Sequence, residues 1–251
     1  MKRTILATAI FLLGVSGFAQ QMATGYVFED QNENGKKDRN ESGIANVSVS
    51  NSQQVVVTDT NGKYEIPVGD DNIIFVIKPS GYVPKINENN LPEFYYIHKP
   101  NGSPKSEFAG VKPTGKLPKS IDFGLIPSEE KETFTALIFG DPQPYNLEEI
   151  EYFTKGIVTE VEGIKDVPFG LSLGDLVGND LDLFSPYIKA VKKVGIPWYN
   201  LMGNHDMNFD ATEDQLSDET YEAHFGPTNY AFKQAAAEAN GIPDSFKRFI
   251  G

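Results

Sequence analysis

Three short segments of one pattern constrain the fold of this chain more than any other feature. Each is an apolar run that ends in a turn rich in acidic or amide side chains: ALIFGDPQ at 136–143, GLSLGDLVGND at 170–180 and WYNLMGNHD at 198–206. Short apolar runs bounded by turn residues are typical of strands buried on both faces of a parallel sheet. Ligands of such sheets bind at the carboxyl ends of the strands. The turns therefore predict a metal site built from Asp141, Asp175 and the run Asn204, His205, Asp206.

Composition narrows the classes of protein to which the chain can belong. Its 251 residues, 39% of them apolar, suffice for two globular domains. A formal net charge of −13 argues against nucleic acid or an anionic membrane as a partner. The chain has no cysteine, which excludes disulfides, thiolate metal sites and a cysteine nucleophile.

Residues 1–19 predict a secretory signal peptide. Lys2 and Arg3 precede an apolar run at 5–18, and the small-residue sequence at 17–19 is typical of a cleavage site. A membrane anchor is the alternative, but the apolar run is short for a spanning helix. We therefore expect export to the periplasm or cell surface, and no stable membrane insertion after cleavage.

Residues 20–127 predict a β-sandwich domain of the immunoglobulin-like or transthyretin-like kind. Short β-branched or aromatic runs alternate there with clusters of Gly, Asn, Asp and Pro, as in all-β domains. The expected strands lie at 23–30, 45–51, 54–59, 63–68, 72–79 and 120–126. The Pro- and Gly-rich interval 78–119 predicts a long ordered excursion over the sandwich.

A loop at 30–41 matches the spacing of an EF-hand calcium loop, with Gly35 at the sharp turn. Because a strand precedes it, we expect a structural ion and no helix pair. The loop also resembles the calcium loops in repeated β-domains of bacterial surface proteins. A solvated Asn/Asp turn that needs no ion is the alternative. The oxygen ligands of a calcium ion would come from Asp30, Asn32, Asn34, the Lys36 carbonyl, Asp38 and Glu41.

The second half of the chain predicts an α/β domain. The charged stretch 128–133 is typical of a linker, and residues 134–251 begin by alternating strands with helices. Asn146 and Glu149 form a capping-box pattern that starts a helix running to 164. Further helices are expected at 183–194, 213–224 and 231–241, and strands at 168–173 and 196–202. This order predicts a βαβαβ unit with a right-handed parallel sheet.

The ordered turn motifs resemble those of the calcineurin-like metallophosphoesterase superfamily, D-x-H, G-D-x-x and G-N-H-[DE]. Segments at 98–104, 110–125 and 224–230 resemble bacterial members in which a β-domain precedes the catalytic domain. The resemblance implies the βαβαβ half of an αββα sandwich and a phosphate ester as substrate. It also implies two divalent cations, for which carboxylate, amide and imidazole ligands suit Mn, Fe or Zn.

The resemblance also implies a role for each motif residue. Asp141 would bind the first metal, Asp175 would bridge both, and Asn204 would bind the second. His205 would lie next to the scissile phosphate as general acid or charge stabiliser, oriented by Asp206. Two cations can neutralise an anionic ester and activate a water molecule, and histidine can protonate a leaving alkoxide.

The chain departs from the family pattern at several positions. Gln143 stands where the motif has histidine, although an amide oxygen can also bind a hard cation. The family's later GH and G-H-x-H motifs have no counterpart, and for the remaining histidines, His98 and His224, we expect structural roles. The chain therefore resembles the N-terminal portion of a phosphoesterase. The missing second sheet implies an exposed apolar sheet face, which a partner or a missing segment would cover.

Two functions are compatible with these patterns. The first is an exported metal-dependent phosphoesterase that hydrolyses phosphomonoesters or phosphodiesters at a dinuclear site, with activity impaired in this chain alone. The second is a non-catalytic cell-envelope binding module with a remnant phosphoesterase half. A metal-dependent rate that is lost in Asp175→Asn distinguishes them.

Overall fold

The computed structural model describes residues 20–234. The expected signal peptide at 1–19 and most of the helix expected at 231–241 lie outside these residues. The described residues form a mixed α/β structure with eleven strands and three α-helices. None of these helices combines the length and apolarity needed to cross a lipid bilayer.

The N-terminal part contains two four-stranded sheets. In spatial order, the first contains β4 (Lys63–Val68), β1 (Gln21–Glu29), β8 (Phe123–Pro127) and β6 (Tyr82–Pro84). The second contains β3 (Val55–Val57), β2 (Ser48–Ser50), β5 (Asn72–Val76) and β7 (Tyr95–His98). All neighbouring strands are antiparallel except β1 and β8, which are parallel.

All six strands expected in this part are present, but two more were missed. β6 and β7 lie within 78–119, for which only an irregular excursion was expected. Both are short, and prolines such as Pro79, Pro84 and Pro92 interrupt the apolar pattern around them. Proline is tolerated only at strand ends, edges and bulges, so it obscures the alternation by which strands are recognised.

One apolar core joins the two sheets. Val27 and Ile66 from the first sheet and Val49 and Ile74 from the second belong to one cluster of buried side chains. In β4, buried Tyr64, Ile66 and Val68 alternate with less buried residues, as expected of a strand with one face on a core. The N-terminal part is therefore β-rich and has its two sheets over a shared core.

The C-terminal part contains a three-stranded parallel sheet in the order β11 (Trp198–Asn200), β10 (Gly170–Ser172), β9 (Leu137–Phe139). Helix α1 (Leu147–Gly156) connects β9 to β10, and α2 (Phe184–Val191) connects β10 to β11. Helix α3 (Glu219–Phe225) follows the sheet. This confirms the predicted parallel βαβαβ order.

The helices are shorter than expected. Asn146 caps α1, since its Oδ1 accepts a hydrogen bond from the Glu149 amide at 3.0 Å. The helix ends at Gly156 and a 3-10 turn follows at Val158–Val161, because glycine and β-branched residues are weak helix formers. Helix α2 passes into a 3-10 turn that Gly195 terminates with φ 82°. Helix α3 begins only at Glu219, after a separate 3-10 turn at Asp214–Leu216.

The two faces of the parallel sheet have different neighbours. On the helix side, Phe139 packs on Trp198 and Phe153, with ring centroids 4.8 and 5.6 Å apart. Leu171 and Tyr199 belong instead to the apolar cluster of the β-rich part. One face of the parallel sheet thus packs on the helices, and the other face packs on the N-terminal sheets.

The second face of the sheet is covered at β10 and β11 but exposed at β9, where Ile138, the partner of Leu171, is 44% exposed. Leu171 and Tyr199 are 1% and 7% exposed, and Tyr199 stacks on Phe232 with centroids 4.7 Å apart. Phe94 and Tyr230 also contact Tyr199. The expectation of an exposed apolar face is therefore wrong at Leu171 and Tyr199, which the segments around 94 and 230–232 cover. It holds at the β9 edge of the sheet, where Ile138 is exposed.

A cavity of about 580 Å³ lies where the β-rich part meets the sheet. Aromatic side chains line much of it, including Phe94, Tyr95, Tyr199 and Tyr230. None of the turn residues from which the metal site was predicted lines this cavity. The predicted metal site at the strand ends therefore lies outside this cavity.

Candidate functional site

The turns after β9, β10 and β11 meet at Asp175. The Asp175 carboxylate accepts a hydrogen bond through Oδ1 from the His205 backbone amide at 2.9 Å. The Asp175 carbonyl oxygen accepts another from the Gln143 backbone amide at 2.9 Å. Residues that are far apart in sequence are therefore joined at one edge of the sheet, as the carboxyl ends of parallel strands require.

Two glycines permit this close approach. A Cβ atom on Gly203 would lie 2.0 Å from Asp175 Oδ1, which no other residue type could accommodate. Gly174 has φ 93°, and a Cβ there would lie 2.9 Å from Gly203 Cα. Glycine is required at both positions so that the second and third turns can touch.

The site turns are also strained. Asp141, Gln143, Asp175 and Asn179 have φ of 56°, 42°, 45° and 73°, in the left-handed region. A non-glycine residue in such a conformation costs on the order of 1–3 kcal/mol and persists where the surroundings enforce it. Such residues concentrate at functional sites, so the strain supports a functional role for these turns.

The carboxyl groups of Asp141 and Asp175 are neighbours. A hydrogen bond to Asp175, some desolvation and the negative charge of Asp175 raise the pKa of the exposed Asp141, while His205 opposes the shift. Among residues 20–234, neither carboxylate forms a salt bridge with Lys or Arg. A carboxylate pair without a compensating side chain is suited to a divalent cation.

The remaining donors at the site are mostly amide oxygens. Gln143 and exposed Asn204 add side-chain amides, and Asn204 begins the 3-10 turn Asn204–Asp206. Carboxylate and amide oxygens suit hard cations such as Mg²⁺ or Mn²⁺. Within the described part, no group of three or more His, Asp or Glu side chains could hold a metal ion. These donors fit one hard cation better than they fit two transition metals.

Asn179 is the side chain that holds the His205 ring. His205 Nδ1 lies 2.7 Å from Asn179 Oδ1, and the Asn179 backbone amide donates to the His205 carbonyl at 3.3 Å. An amide oxygen can only accept, so Nδ1 carries the proton of this hydrogen bond. In the neutral ring, Nε2 then has no proton and can accept one.

The structure places the Asp206 carboxylate against backbone amides. Asp206 is fully buried, and its carboxylate accepts hydrogen bonds from the backbone amides of Gly203, Leu176 and Val177 at 2.8, 3.1 and 3.1 Å. Burial raises the pKa of Asp206 to about 6, while these hydrogen bonds lower it. Asp206 thus fixes the turn after β10 to the turn after β11, and Asn179, instead of Asp206, orients His205.

Two residues of this site were not assigned a role from the sequence. Asn179 belongs to the second motif, but nothing in the motif distinguishes it from an ordinary turn residue. Tyr145 precedes the helix cap, and its ring centroid lies 6.3 Å from that of His205. The Tyr145 hydroxyl accepts a hydrogen bond from Gln143 Nε2 at 3.2 Å. Only the tertiary arrangement reveals either contact.

The other two histidines have structural surroundings. His98 is 1% exposed in β7, and neither ring nitrogen has a hydrogen-bond partner among residues 20–234. Burial lowers the pKa of His98, opposed by the charge of Asp70. His224 Nδ1 lies 2.8 Å from the Thr220 carbonyl one helical turn earlier, and its ring contacts Phe184.

The loop at 30–41 is organised by its own hydrogen bonds. Buried Asp30 accepts from the amides of Asn34 and Gly35, and buried Glu41 accepts from those of Gln31 and Asp38. The side-chain amides of Asn32 and Asn34 both donate to Asp38 Oδ2, and the Lys36 amide donates to Asn34 Oδ1. These internal hydrogen bonds fit the alternative in which the turn needs no ion. The burial of the Asp30 and Glu41 carboxylates fits the alternative in which the loop binds calcium.

Comparison with known proteins gives a match to a protein family. Residues 31–112 match the family model described as the N terminal of calcineurin-like phosphoesterase. No curated protein matches the chain. The matched residues lie in the β-rich part, while the strand-end motifs lie at 141–206, outside it. The match therefore agrees independently with the resemblance seen in those motifs.

Proposed function

We propose that this chain, which carries the N-terminal domain of calcineurin-like phosphoesterases at residues 31–112, acts as an exported metal-dependent phosphoesterase. The substrate class is a phosphomonoester or phosphodiester, and the location is the periplasm or cell surface. In this proposal, residues 20–127 are an immunoglobulin-like or transthyretin-like sandwich. Residues 134–251 are the βαβαβ half of an αββα phosphoesterase domain.

The observation that carries the proposal is the meeting of three strand-end turns at Asp175. Its carboxylate and carbonyl oxygens accept hydrogen bonds from His205 and Gln143. Asp141 lies close enough to share a hydrogen bond with it. A pair of neighbouring carboxylates beside an imidazole is the arrangement expected for metal-assisted hydrolysis of an anionic ester.

Each residue has a definite task in this proposal. Asp141, Asp175, and the amide oxygens of Gln143 and Asn204 would hold a hard divalent cation, and the second cation that the family implies would need further ligands. When bound, the cations neutralise the phosphate and lower the pKa of water. His205, held through Nδ1 by Asn179, keeps Nε2 available to the leaving group. As the imidazolium, which has a proton on both nitrogens, it would donate the Nε2 proton to the leaving oxygen and return to the neutral ring protonated at Nδ1.

The activity of this chain alone is expected to be low. The family's dinuclear site draws on several histidines, but this sequence has three, of which His98 is buried in β7 and His224 is bonded to its own helix. The oxygen-rich donor set favours Mn²⁺ over Zn²⁺. We expect slow, Mn²⁺-dependent turnover.

Hydrolysis of bis(p-nitrophenyl) phosphate and p-nitrophenyl phosphate tests this function. We expect a rate that appears with Mn²⁺, disappears with EDTA and is lost in Asp175→Asn. Asp182→Asn is the matched control, because Asp182 is an exposed aspartate in a 3-10 turn with no side-chain partner among the described residues. A rate that persists in Asp175→Asn would contradict the proposal.

A non-catalytic cell-envelope binding module is the second candidate, and the scarcity of histidines favours it. It predicts no turnover with any divalent cation and at most one weakly bound transition metal. Isothermal titration with Mn²⁺ gives the stoichiometry that separates a remnant site from a complete one.

A structural calcium ion in the loop at 30–41 is a separate part of the proposal. Its support is the match to the EF-hand spacing together with the burial of Asp30 and Glu41, which are 1% and 4% exposed. Such an ion would stabilise the loop that leads out of β1 and would take no part in hydrolysis.

A further inference from the structure

Tyr145 presents a partly uncovered aromatic ring at the strand-end site. The side chain is 51% exposed, although it is fixed on several sides. Its backbone amide donates to Glu149 Oε2 at 2.7 Å, and its hydroxyl accepts from Gln143 Nε2 at 3.2 Å. An exposed ring with this many contacts is held in one position, so it loses little conformational entropy when a ligand packs on it.

The turn after β10 leaves room for this ring. A Cβ atom on Gly178 would lie 2.6 Å from the Tyr145 ring, so a side chain there would push the ring away. The Gly178 amide donates to the Pro144 carbonyl at 2.9 Å, which fixes the spacing between the two turns. The position of Tyr145 is therefore set by the same turns that carry Asp175 and Gln143.

The ring borders the group expected to face the scissile phosphate. Tyr145 and His205 pack edge to face, with centroids 6.3 Å apart and planes at 75°. About half of Tyr145 remains exposed in addition to this ring contact with His205. A phosphate bound through a cation at Asp141 and Asp175 would have His205 beside its ester group, and the Tyr145 ring adjoins His205.

Another exposed tyrosine shows that this arrangement is specific to Tyr145. Tyr152 is 61% exposed on α1, and its hydroxyl is bonded to Glu148 on the same helix. Tyr152 has no ring contact with a site residue within the described part of the chain. It lies on a solvent-facing helix surface and serves as a natural comparison.

We propose that Tyr145 is a specificity-determining residue that stacks on a flat ring in the ester group of the substrate. This inference rests on the proposed phosphoesterase function and narrows its substrate class to phosphate esters of aromatic or heteroaromatic compounds. Either a small aryl phosphate or a mononucleotide supplies that chemistry.

Binding of unreactive phosphonates tests the inference without requiring turnover. Isothermal titration of the Mn²⁺-loaded full chain compares phenylphosphonate with methylphosphonate, and the phosphonate analogue of adenosine monophosphate distinguishes a nucleobase from a simple aryl ring. We expect phenylphosphonate to bind about threefold to tenfold more tightly than methylphosphonate. Tyr145→Phe keeps this ratio because the ring remains, whereas Tyr145→Ala reduces it to about one.

Two further variants guard against misinterpretation. Tyr152→Ala keeps the wild-type ratio, and Gly178→Ala lowers it by displacing the Tyr145 ring. Equal binding of the two phosphonates to the wild type, or an unchanged ratio in Tyr145→Ala, would overturn the inference while leaving the proposed function standing. Failure of both phosphonates to bind in the presence of Mn²⁺ would overturn the proposed function and the inference with it.

Discussion

The Oδ1 atom of Asn179 lies 2.7 Å from Nδ1 of His205, and this contact fixes the ring at the centre of the candidate site. Because asparagine is neutral, it orients the imidazole without adding a negative charge next to the neighbouring carboxylates. This leaves Asp206 free to fasten the turns together, so orientation and structural support belong to different residues.

Removal of the Asn179 side chain should therefore impair catalysis more than stability. In Asn179→Ala we expect the Mn²⁺-dependent kcat for bis(p-nitrophenyl) phosphate to fall about 10-fold to 100-fold, the range typical of residues that orient a site group. The melting temperature should fall only modestly: Asn179 is exposed, but alanine tolerates its left-handed φ of 73° less well than asparagine does. Asn101→Ala, at another exposed turn, is the control. A large loss of stability with unchanged kcat would show that Asn179 is only structural.

Asp206→Ala should instead reduce stability more than it reduces catalysis directly. Three backbone amides would lose a buried acceptor, and one buried unpaired group typically costs about 1–3 kcal/mol. We expect the free energy of unfolding in urea to fall by at least about 2 kcal/mol. Asp206→Asn keeps one acceptor oxygen and should lose less. Equal stability of Asp206→Ala and the wild type would refute the structural role.

The parallel order and the meeting of the turns could be predicted from the sequence, because both follow from short apolar runs that end in polar turns. The strands β6 and β7 could not, because prolines near them hide the alternation. The roles of Asn179 and Tyr145 depend on their contacts with His205, which lies 26 and 60 residues further along the chain. No local sequence pattern encodes such contacts. Burial of Leu171 and Tyr199 depends likewise on distant segments around 94 and 230.

Calcium should stabilise the β-rich part if the loop at 30–41 holds an ion. A ligand at 100 times its Kd adds about 2.7 kcal/mol to folded-state stability, so the melting temperature should rise by several degrees in millimolar Ca²⁺. Glu41→Gln, which removes a buried carboxylate, should abolish the increase. Exposed Glu88 provides the control Glu88→Gln. Identical melting curves with Ca²⁺ and EDTA would favour the ion-free turn.

A buried acidic cluster around Lys99 should make stability depend on pH. Lys99 Nζ contacts Glu219, Glu222 at 3.2 Å and Asp71 at 3.0 Å, joining the segment after β7 to α3. Burial raises the pKa of Glu222 from 4.5 to about 7, the charges of Asp218 and Asp71 add to the shift, and Lys99 opposes it. The cluster therefore has more negative charge than one lysine can compensate.

The sign of the effect follows from proton linkage. Because the pKa of Glu222 is higher in the folded state, the folded state binds more protons between pH 4.5 and about 7. The contribution of Glu222 to stability is present below pH 4.5 and is lost as the pH rises through about 7. Glu222→Gln should thus gain roughly 1–3 kcal/mol relative to the wild type between pH 5 and pH 8. Urea unfolding at both pH values measures this difference.

A matched variant separates this effect from other titrations. The lowered pKa of buried His98 acts in the opposite direction, since stability then falls as the pH drops below 6.5. His98 is present in both the wild type and Glu222→Gln, so its contribution cancels in the comparison. Exposed Glu160, in the 3-10 turn after α1, gives the control Glu160→Gln, which should follow the wild type at both pH values. Parallel pH dependence of Glu222→Gln and the wild type would show that Glu222 is ionised throughout this range, with Lys99 compensating its burial in full.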